Sequence, residues 1–586
     1  MDLDQLLQEK LGGISRYQWL LIFALSLQPL GSSIMSQTNV FFSSVPDYRC
    51  STPPLDDPNI YPELTEENIT ALMIPPGEPC YRYDYNLSKC NGNGDLSCLN
   101  NSDPGTIECD AGYEYDDTYF EETTVSEWDL ICGRTTLDSL ANSMYFVGIF
   151  IGSFLIGPMM DWFGRKMSIL ILTVYSTIIG VILAFVPSYE VYISMRTLLA
   201  IGATSSYLAY YTYVCEIVDN SWRTVVSTLA LLVSAIGHTI LPGVAYFLRD
   251  WRELCLCCAL CCIPYFFVHF FIPRCPRWLL SKGLEDEAKK TIEKIARSNK
   301  VELLDIDWNL VVKTEREYIE AVSKQKKYVI PDLYRPPMMR IVSCNIIYLW
   351  FVVSLVFYGL TLNVGTLAGD PYVNATLNAF VEIIGYLLFI VCAKPAGMRI
   401  TSSISYLLGG ICCLTTMFLA QFADGNEAMI EASRWIAILG KLFASMSFTV
   451  VYQYTVELYP TVARGTAMSM GSMSARIGPI IMPFTLQLQQ AIPWLTQTIF
   501  GTLGLIAGAT TLMLPETSKE DLMTSIDQAE NFYRRNMRII AKLFRKTEVY
   551  QSESNDDKKP STSGELKEGY VFKCDDEDMY LYTSKL

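Results

Sequence analysis

The chain has 586 residues, 51% of them hydrophobic, and a formal charge of −16. The apolar residues recur in runs of about twenty, the length that crosses a bilayer as a helix, which excludes a single soluble domain. The negative charge gives nucleic acid nothing to bind.

Twelve spans are predicted: 18–41, 139–160, 167–187, 192–215, 224–247, 253–272, 341–363, 373–393, 402–422, 432–456, 465–487 and 493–513. The chain therefore reads as an all-α polytopic membrane protein. The polar stretch 1–17, which begins MDLDQLLQEK, reads as a cytoplasmic N-terminus. No small-residue cleavage site comes after the first apolar run, so that run is expected to act as its own insertion signal.

The long loop 41–137 holds 19 acidic and 4 basic side chains, which accounts for most of the net charge. The segment 273–340 is rich in Lys and Arg. Basic loops stay on the cytoplasmic side, so 41–137 is expected outside, 273–340 inside, and both termini in the cytosol. Six cysteines fall in the outer loop: Cys50, Cys80, Cys90, Cys98, Cys109 and Cys132. Three glycosylation sequons, at Asn68, Asn86 and Asn100, share it. Together they predict an oxidised, glycosylated ectodomain with the disulfide pairing left open.

Between the second and third spans lies GPMMDWFGRKMSIL, 157–170. Its charges predict a tight inner turn. Gly164 permits it, Arg165 and Lys166 hold it inside, and Asp161 can meet a helix N-terminus. The run CLCCALCC, 255–262, lies inside an apolar span without His or carboxylates, so packing rather than metal binding is expected. No metal site and no cofactor are expected.

An internal repeat divides the chain into halves at 18–272 and 341–515. Glu216 and Arg223 come after the fourth span, as Glu457 and Arg464 come after the tenth, at an offset of 241; Pro273 and Pro515 close the sixth and twelfth at 242. That offset carries Asp161 to about Ser402. The second loop keeps basic residues (Lys394, Arg399) but lacks the Asp and the Gly-Arg-Lys.

Two six-span halves in parallel repeat point to the major facilitator architecture. The loop at 157–166 resembles that superfamily's G-x-x-x-D-x-x-G-R-[RK] signature. Several further stretches resemble solute carrier family 22, the organic cation, carnitine and organic anion transporters. They are VSEWDLIC (125–132), CPRWLLSKG (275–283), the block from Tyr454 to Phe484, and LPETSKEDL (514–522). The resemblance implies a gating role for Asp161, Arg165, Lys166, Glu216, Arg223, Glu457 and Arg464. Two departures, Arg274-Cys275 in place of Glu-Ser and the missing acid at 394–402, are expected to weaken gating contacts.

An ionisable side chain at mid-bilayer is a functional candidate by default. Glu382, Lys441 and Arg476 sit about halfway along the eighth, tenth and eleventh spans, and Glu382 is a possible partner for Lys441. By resemblance, Tyr207, Tyr211, Phe357, Glu382, Phe448 and Arg476 line the substrate cavity. The aromatics and Glu382 suit an alkylammonium, and Arg476 suits a carboxylate. The expected function is plasma-membrane transport of a small organic cation or zwitterion by alternating access. The alternatives are an organic anion exchanger or a receptor that does not transport. No enzyme motif and no ATP-binding loop are present, so gradients must drive transport. His238 and His269 read as packing or pore-lining residues. The tail, 516–586, reads as cytosolic and largely disordered. Its terminal TSKL fits a PDZ ligand better than a peroxisomal address.

Overall fold

Twelve helical segments occupy the twelve predicted spans in a computed structural model, which describes residues 14, 16–53, 55–56, 66–85, 105–218, 220–298, 308, 312–314, 329–367, 369–423, 426–517, 523 and 525–537. Helices α1 (Arg16–Ser36), α2 (Thr135–Phe163), α3 (Arg165–Leu183), α4 (Tyr189–Glu216) and α5 (Asn220–Phe247) begin the first half. Its sixth segment is broken into α6 (Trp251–Leu260) and α7 (Ile263–His269). Pro264, in the first turn of α7, lacks the N–H a continuous helix would need there. The second half comprises α8 (Pro337–Leu362), α9 (Pro371–Ala396), α10 (Met398–Gln421), α11 (Glu427–Leu458), α12 (Arg464–Ala491) and α13 (Leu495–Thr511).

Among the described residues, nine of these segments are long and apolar enough to cross a membrane unaided. The other three are α13, with 17 residues, and the more polar α4 and α12. Helices α4 and α12 carry Arg196 and Arg476, and both arginines are buried. Neighbouring helices shield these polar residues from lipid, so such helices need less hydrophobicity of their own.

The outer loop forms two small antiparallel sheets. In the first, β1 (Tyr48–Cys50) pairs with β4 (Tyr113–Tyr115); in the second, β2 (Tyr81–Tyr83) pairs with β3 (Thr106–Glu108). Disulfides Cys50–Cys109 and Cys80–Cys132 tie them together. Cys90, Cys98, Asn86 and Asn100 lie outside the described residues, and Asn68 is exposed. The 125–132 motif fastens this ectodomain to the bundle. Glu127 pairs with Arg252 and accepts the Trp251 indole N–H at 2.7 Å. Trp128 packs among Tyr189, Tyr192 and Trp251, and Asp129 accepts the Tyr115 hydroxyl at 2.9 Å.

The repeat extends to individual hydrogen bonds. Tyr213 donates to the Pro273 carbonyl and Tyr454 to that of Pro515, both at 2.7 Å. Cys275 donates to Glu216 at 3.1 Å, and Thr517 to Glu457 at 2.6 Å. Cys275 therefore occupies the place of the Thr517 hydroxyl in the other half, with the weaker S–H donor.

The turn between α9 and α10 corrects one expectation. Its glycine is present: Gly397 has φ 78°, ψ 166°, matching Gly164 at φ 80°, ψ 159°. The loops therefore align at an offset of 233, with Lys394 at the place of Asp161. The acid of the first loop has no equivalent here, but a different carboxylate reaches the turn. Glu516 accepts the backbone N–H groups of Met398 and Arg399 at 2.9 and 3.2 Å, capping α10. Its counterpart in the first half, Arg274, pairs with Glu287 instead. At Gly164, an added Cβ would lie 2.9 Å from the Trp278 ring in a left-handed conformation. Gly164→Ala is expected to cost about 1–2 kcal/mol from backbone strain alone, read as a lowered Tm in detergent.

The expectation of a largely disordered tail is also corrected in part. Helix α14 (Ile526–Asn536) packs against the second half with Ala529 and Tyr533 buried. Glu530 caps α8 through the N–H groups of Met338 and Met339, at 3.2 and 3.0 Å. The TSKL terminus lies outside the described residues.

Candidate functional site

The halves meet where α2 packs on α12 and α5 on α9. Hydrogen bonds join them near the ectodomain. Ser139 donates to the Pro483 carbonyl at 3.2 Å, Ser143 to that of Ile480 at 2.8 Å, and Tyr372 to that of Tyr119 at 2.6 Å. At the opposite, inner end, Asp161 is 74% exposed. There Arg464 has two guanidinium nitrogens, Nε and Nη2, without hydrogen-bond partners. The outer ends are thus joined by hydrogen bonds, whereas at the inner end no ion pair joins Asp161 to Arg464 among the described residues.

Between the halves lies a cavity of about 150 Å³, measured as space open to the centre of a water molecule. That is room for about ten waters, or a solute of roughly as many heavy atoms. Five of the six residues expected in the site line it: Tyr207, Phe357, Glu382, Phe448 and Arg476. Tyr211 does not. It lies on the same helix face as Tyr207 but one turn, about 6 Å, further along α4, where it packs against the apolar cluster of the first half.

Glu382 is fully engaged. It accepts the Tyr386 hydroxyl at 2.8 Å and lies 3.8 Å from the Lys441 ammonium. Lys441 is completely buried. It donates to Thr361 Oγ1 at 2.5 Å and to the Phe357 carbonyl at 3.2 Å, and sits 3.2 Å from the Phe357 ring centre. The pair neutralises itself within the second half.

Arg476 differs. It is buried and lines the cavity, yet its Nε has no hydrogen-bond partner and no carboxylate lies within ion-pair distance among the described residues. Tyr358 and Tyr452 flank it. The aromatic wall continues through Phe357–Phe448 and Phe448–Tyr452 ring contacts at 4.9 and 5.4 Å. The buried Tyr207 hydroxyl also lacks a partner. The cavity therefore presents one uncompensated positive charge, aromatic faces and an unsatisfied hydroxyl.

Two ionisable residues gain importance from the structure. His238 lines the cavity with Nδ1 3.4 Å from Glu382 Oε1. Arg196, near the outer end of α4, is sandwiched between Phe42 and Tyr145, 4.8 and 4.9 Å from their ring centres. Its position four residues into a predicted span was the available signal. His269 is buried beside Tyr265, 3.3 Å from its hydroxyl, and is a packing residue. Of the remaining gating candidates, Arg165 places Nε and Nη2 at 3.0 and 2.8 Å from Glu216 Oε1. Arg223 donates to the Cys215 carbonyl at 3.3 Å, Glu457 accepts from Gln453 at 3.1 Å, and Lys166 is partly buried. The cysteines of 255–262 are free thiols, three of them buried, and no metal-binding cluster occurs among the described residues.

Residues 97–528 match the family described as "Sugar (and other) transporter". An organic cation transporter protein of Drosophila melanogaster is 32% identical over 89% of this chain and 93% of its own length. Solute carrier family 22 member 21 of Mus musculus is 29% identical over 89% and 92%. Organic cation/carnitine transporter 2 of Homo sapiens is 29% identical over 88% and 92%. The chain belongs to solute carrier family 22 of the major facilitator superfamily. The xylose transporter XylE from E. coli, in a partially occluded inward-open conformation, superposes with a TM-score of 0.55 at 14% identity. The match covers 87% of this chain and all of XylE, and at that identity it speaks to the fold alone. As a solute carrier family 22 member, the protein is a multi-pass membrane transporter of small organic solutes and not an enzyme.

Proposed function

We propose that this transporter carries small zwitterions with a carboxylate and an alkylammonium group, of the carnitine or betaine kind, across the plasma membrane. The observation that carries this reading is Arg476, a buried guanidinium facing the cavity without a carboxylate of its own. A substrate carboxylate supplies the missing partner, bidentately. Phe448, Tyr452 and Tyr358 offer ring faces to the ammonium end. Glu382 adds negative potential at the opposite wall, although Lys441 offsets much of it. The similarity to an organic cation/carnitine transporter agrees with this choice.

Transport proceeds by alternating access. The joined outer ends and the absence, among the described residues, of an Asp161–Arg464 ion pair correspond to the form that opens to the cytosol, with 1–17, 273–340 and the tail on that side. Asp161, Arg165, Lys166, Glu216, Arg223, Glu457 and Arg464 act at the inner gate, which closes when Asp161 approaches the start of α12. At the C-terminus, Ser584 and the Leu586 carboxylate suit a PDZ domain.

A second reading has one specific observation behind it. Because Lys441 neutralises Glu382, the net charge of the cavity is positive, which favours an organic anion. Uptake of labelled carnitine, tetraethylammonium and para-aminohippurate by expressing cells separates the readings. Carnitine is expected to accumulate, and accumulation of para-aminohippurate alone would replace the zwitterion reading. No accumulation of any tracer by protein shown to be at the surface would overturn both.

A further inference from the structure

Among the described residues, one ion-pair contact joins the halves within the membrane: His238 of α5 and Glu382 of α9, 3.4 Å apart. Both residues line the central cavity, and both line a smaller one of about 30 Å³. Val40, Phe41, Leu241 and Ala375 surround that second cavity, which therefore lies toward the outer ends of α1, α5 and α9. The pair stands in the wall that divides the substrate cavity from the outer side.

Glu382 needs no second cation for its own neutrality, since Lys441 and Tyr386 already satisfy it within the second half. His238 comes from the other half and meets the carboxylate here, in a form whose outer ends are together. The other titratable or charged groups around the contact, among the described residues, are Lys441, Arg476 and the phenols Tyr145, Tyr207, Tyr358, Tyr386 and Tyr452. Helix α1 contributes Ser32, Ser33 and Ser36, and the residues just after it Gln37 and Asn39, none of them charged. Phenols are neutral between pH 5 and 8, and imidazole is the side chain whose ordinary range falls there, so the test isolates it by substitution.

We propose that His238 and Glu382 form a proton-binding bridge that closes the outer gate and carries one proton inward with each substrate. In the outward-open form, His238 meets the external solution away from Glu382. A proton from hydronium adds to the free ring nitrogen, leaving water and an imidazolium. The imidazolium is drawn to the Glu382 carboxylate as the outer ends close. Once the cavity opens to the cytosol, the proton passes to water, the attraction weakens, and the empty carrier can reopen outward. Proton binding and outer closure favour one another because the imidazolium gains its partner only in the closed form. A zwitterionic cargo then enters with one net positive charge, and the membrane potential adds to the driving force.

The inference rests on alternating access but not on the substrate named above, so its test is substrate-free. Ala375, buried on the wall of the outer cavity, is changed to Cys and treated from outside with an impermeant maleimide, with the unsubstituted protein as background. Acidification from pH 7.5 to 5.5 slows maleimide chemistry itself, which the same reporter in a His238→Gln background measures. Beyond that, labelling with His238 intact is expected to fall by a further tenfold or so, within the usual range of coupling between two linked events. His238→Lys, permanently charged, is expected to label slowly at both pH values. Asn378→Cys, on the same wall, is the second reporter. Equal pH dependence with and without His238, or fast labelling of His238→Lys, overturns the bridge. The coupling itself is read as carnitine uptake, expected to rise with external pH 5.5 against internal pH 7.5 and to lose that response in His238→Gln. A response unchanged in His238→Gln overturns the coupling. If labelling follows His238 while none of the three tracers accumulates, the substrate reading fails and the bridge stands.

Discussion

Arg476→Asp is expected to abolish carnitine uptake while leaving tetraethylammonium uptake intact or increased. The guanidinium is buried at the cavity wall, its Nε is unpartnered, and no carboxylate among the described residues offsets it. A substrate carboxylate bound there would be one half of a desolvated, charge-assisted pair. Truncating one partner of such a pair costs about 2–5 kcal/mol, a loss of thirtyfold or more in uptake efficiency. Aspartate goes further by placing a negative charge where the substrate carboxylate would sit. A cation without a carboxylate loses nothing and gains a counter-charge. Arg476→Lys, which keeps the charge but loses the planar fork, is expected to fall between them. The measurement is initial uptake of both tracers at matched surface expression. Equal loss of both would indicate collapse of the cavity, and unchanged carnitine uptake would remove Arg476 from the site.

How much of this was legible beforehand depended on the range of the interaction. The spans were readable because hydrophobic length is a local property, and even α4 and α12, the polar helices, kept enough apolar residues to be seen. The repeat was readable from Glu216, Glu457 and the closing prolines, since these keep their spacing within each half. Cavity residues were named by resemblance; five of the six line the cavity, and Tyr211 lies one turn along α4 from Tyr207, beyond it. What stayed hidden was contact between distant segments. Nothing in the stretch around His238 announces Glu382, which lies in the other half. Glu516 reads as part of a closing motif, and only the fold shows it capping α10. The Gly397 turn was missed because a single offset was carried across a loop whose length had changed. Arg196 was overlooked because a charge near a span's end reads as interfacial, whereas the ectodomain and α2 bury it here.

The Glu382–Lys441 pair leads to the second large effect, on stability as well as transport. Lys441 is fully buried and Glu382 nearly so, and each offsets the charge of the other. Lys441→Met is expected to destabilise the second half by about 3–5 kcal/mol, because it leaves a buried carboxylate without its main counter-ion. The readouts are a sharp fall in surface expression and in Tm. Removing both charges, Glu382→Gln with Lys441→Met, is expected to recover most of that loss, since a neutral pair requires no compensation. Transport separates the pair's two roles. If Glu382 serves only Lys441, the double variant will carry carnitine as the wild type does. If it also attracts the ammonium end of the substrate and holds His238, the double variant will fold but take up less carnitine, without the response to external acid. A double variant as unstable as Lys441→Met alone would mean that Lys441 acts chiefly through Thr361, the Phe357 carbonyl and the Phe357 ring, and that its charge balance with Glu382 is secondary.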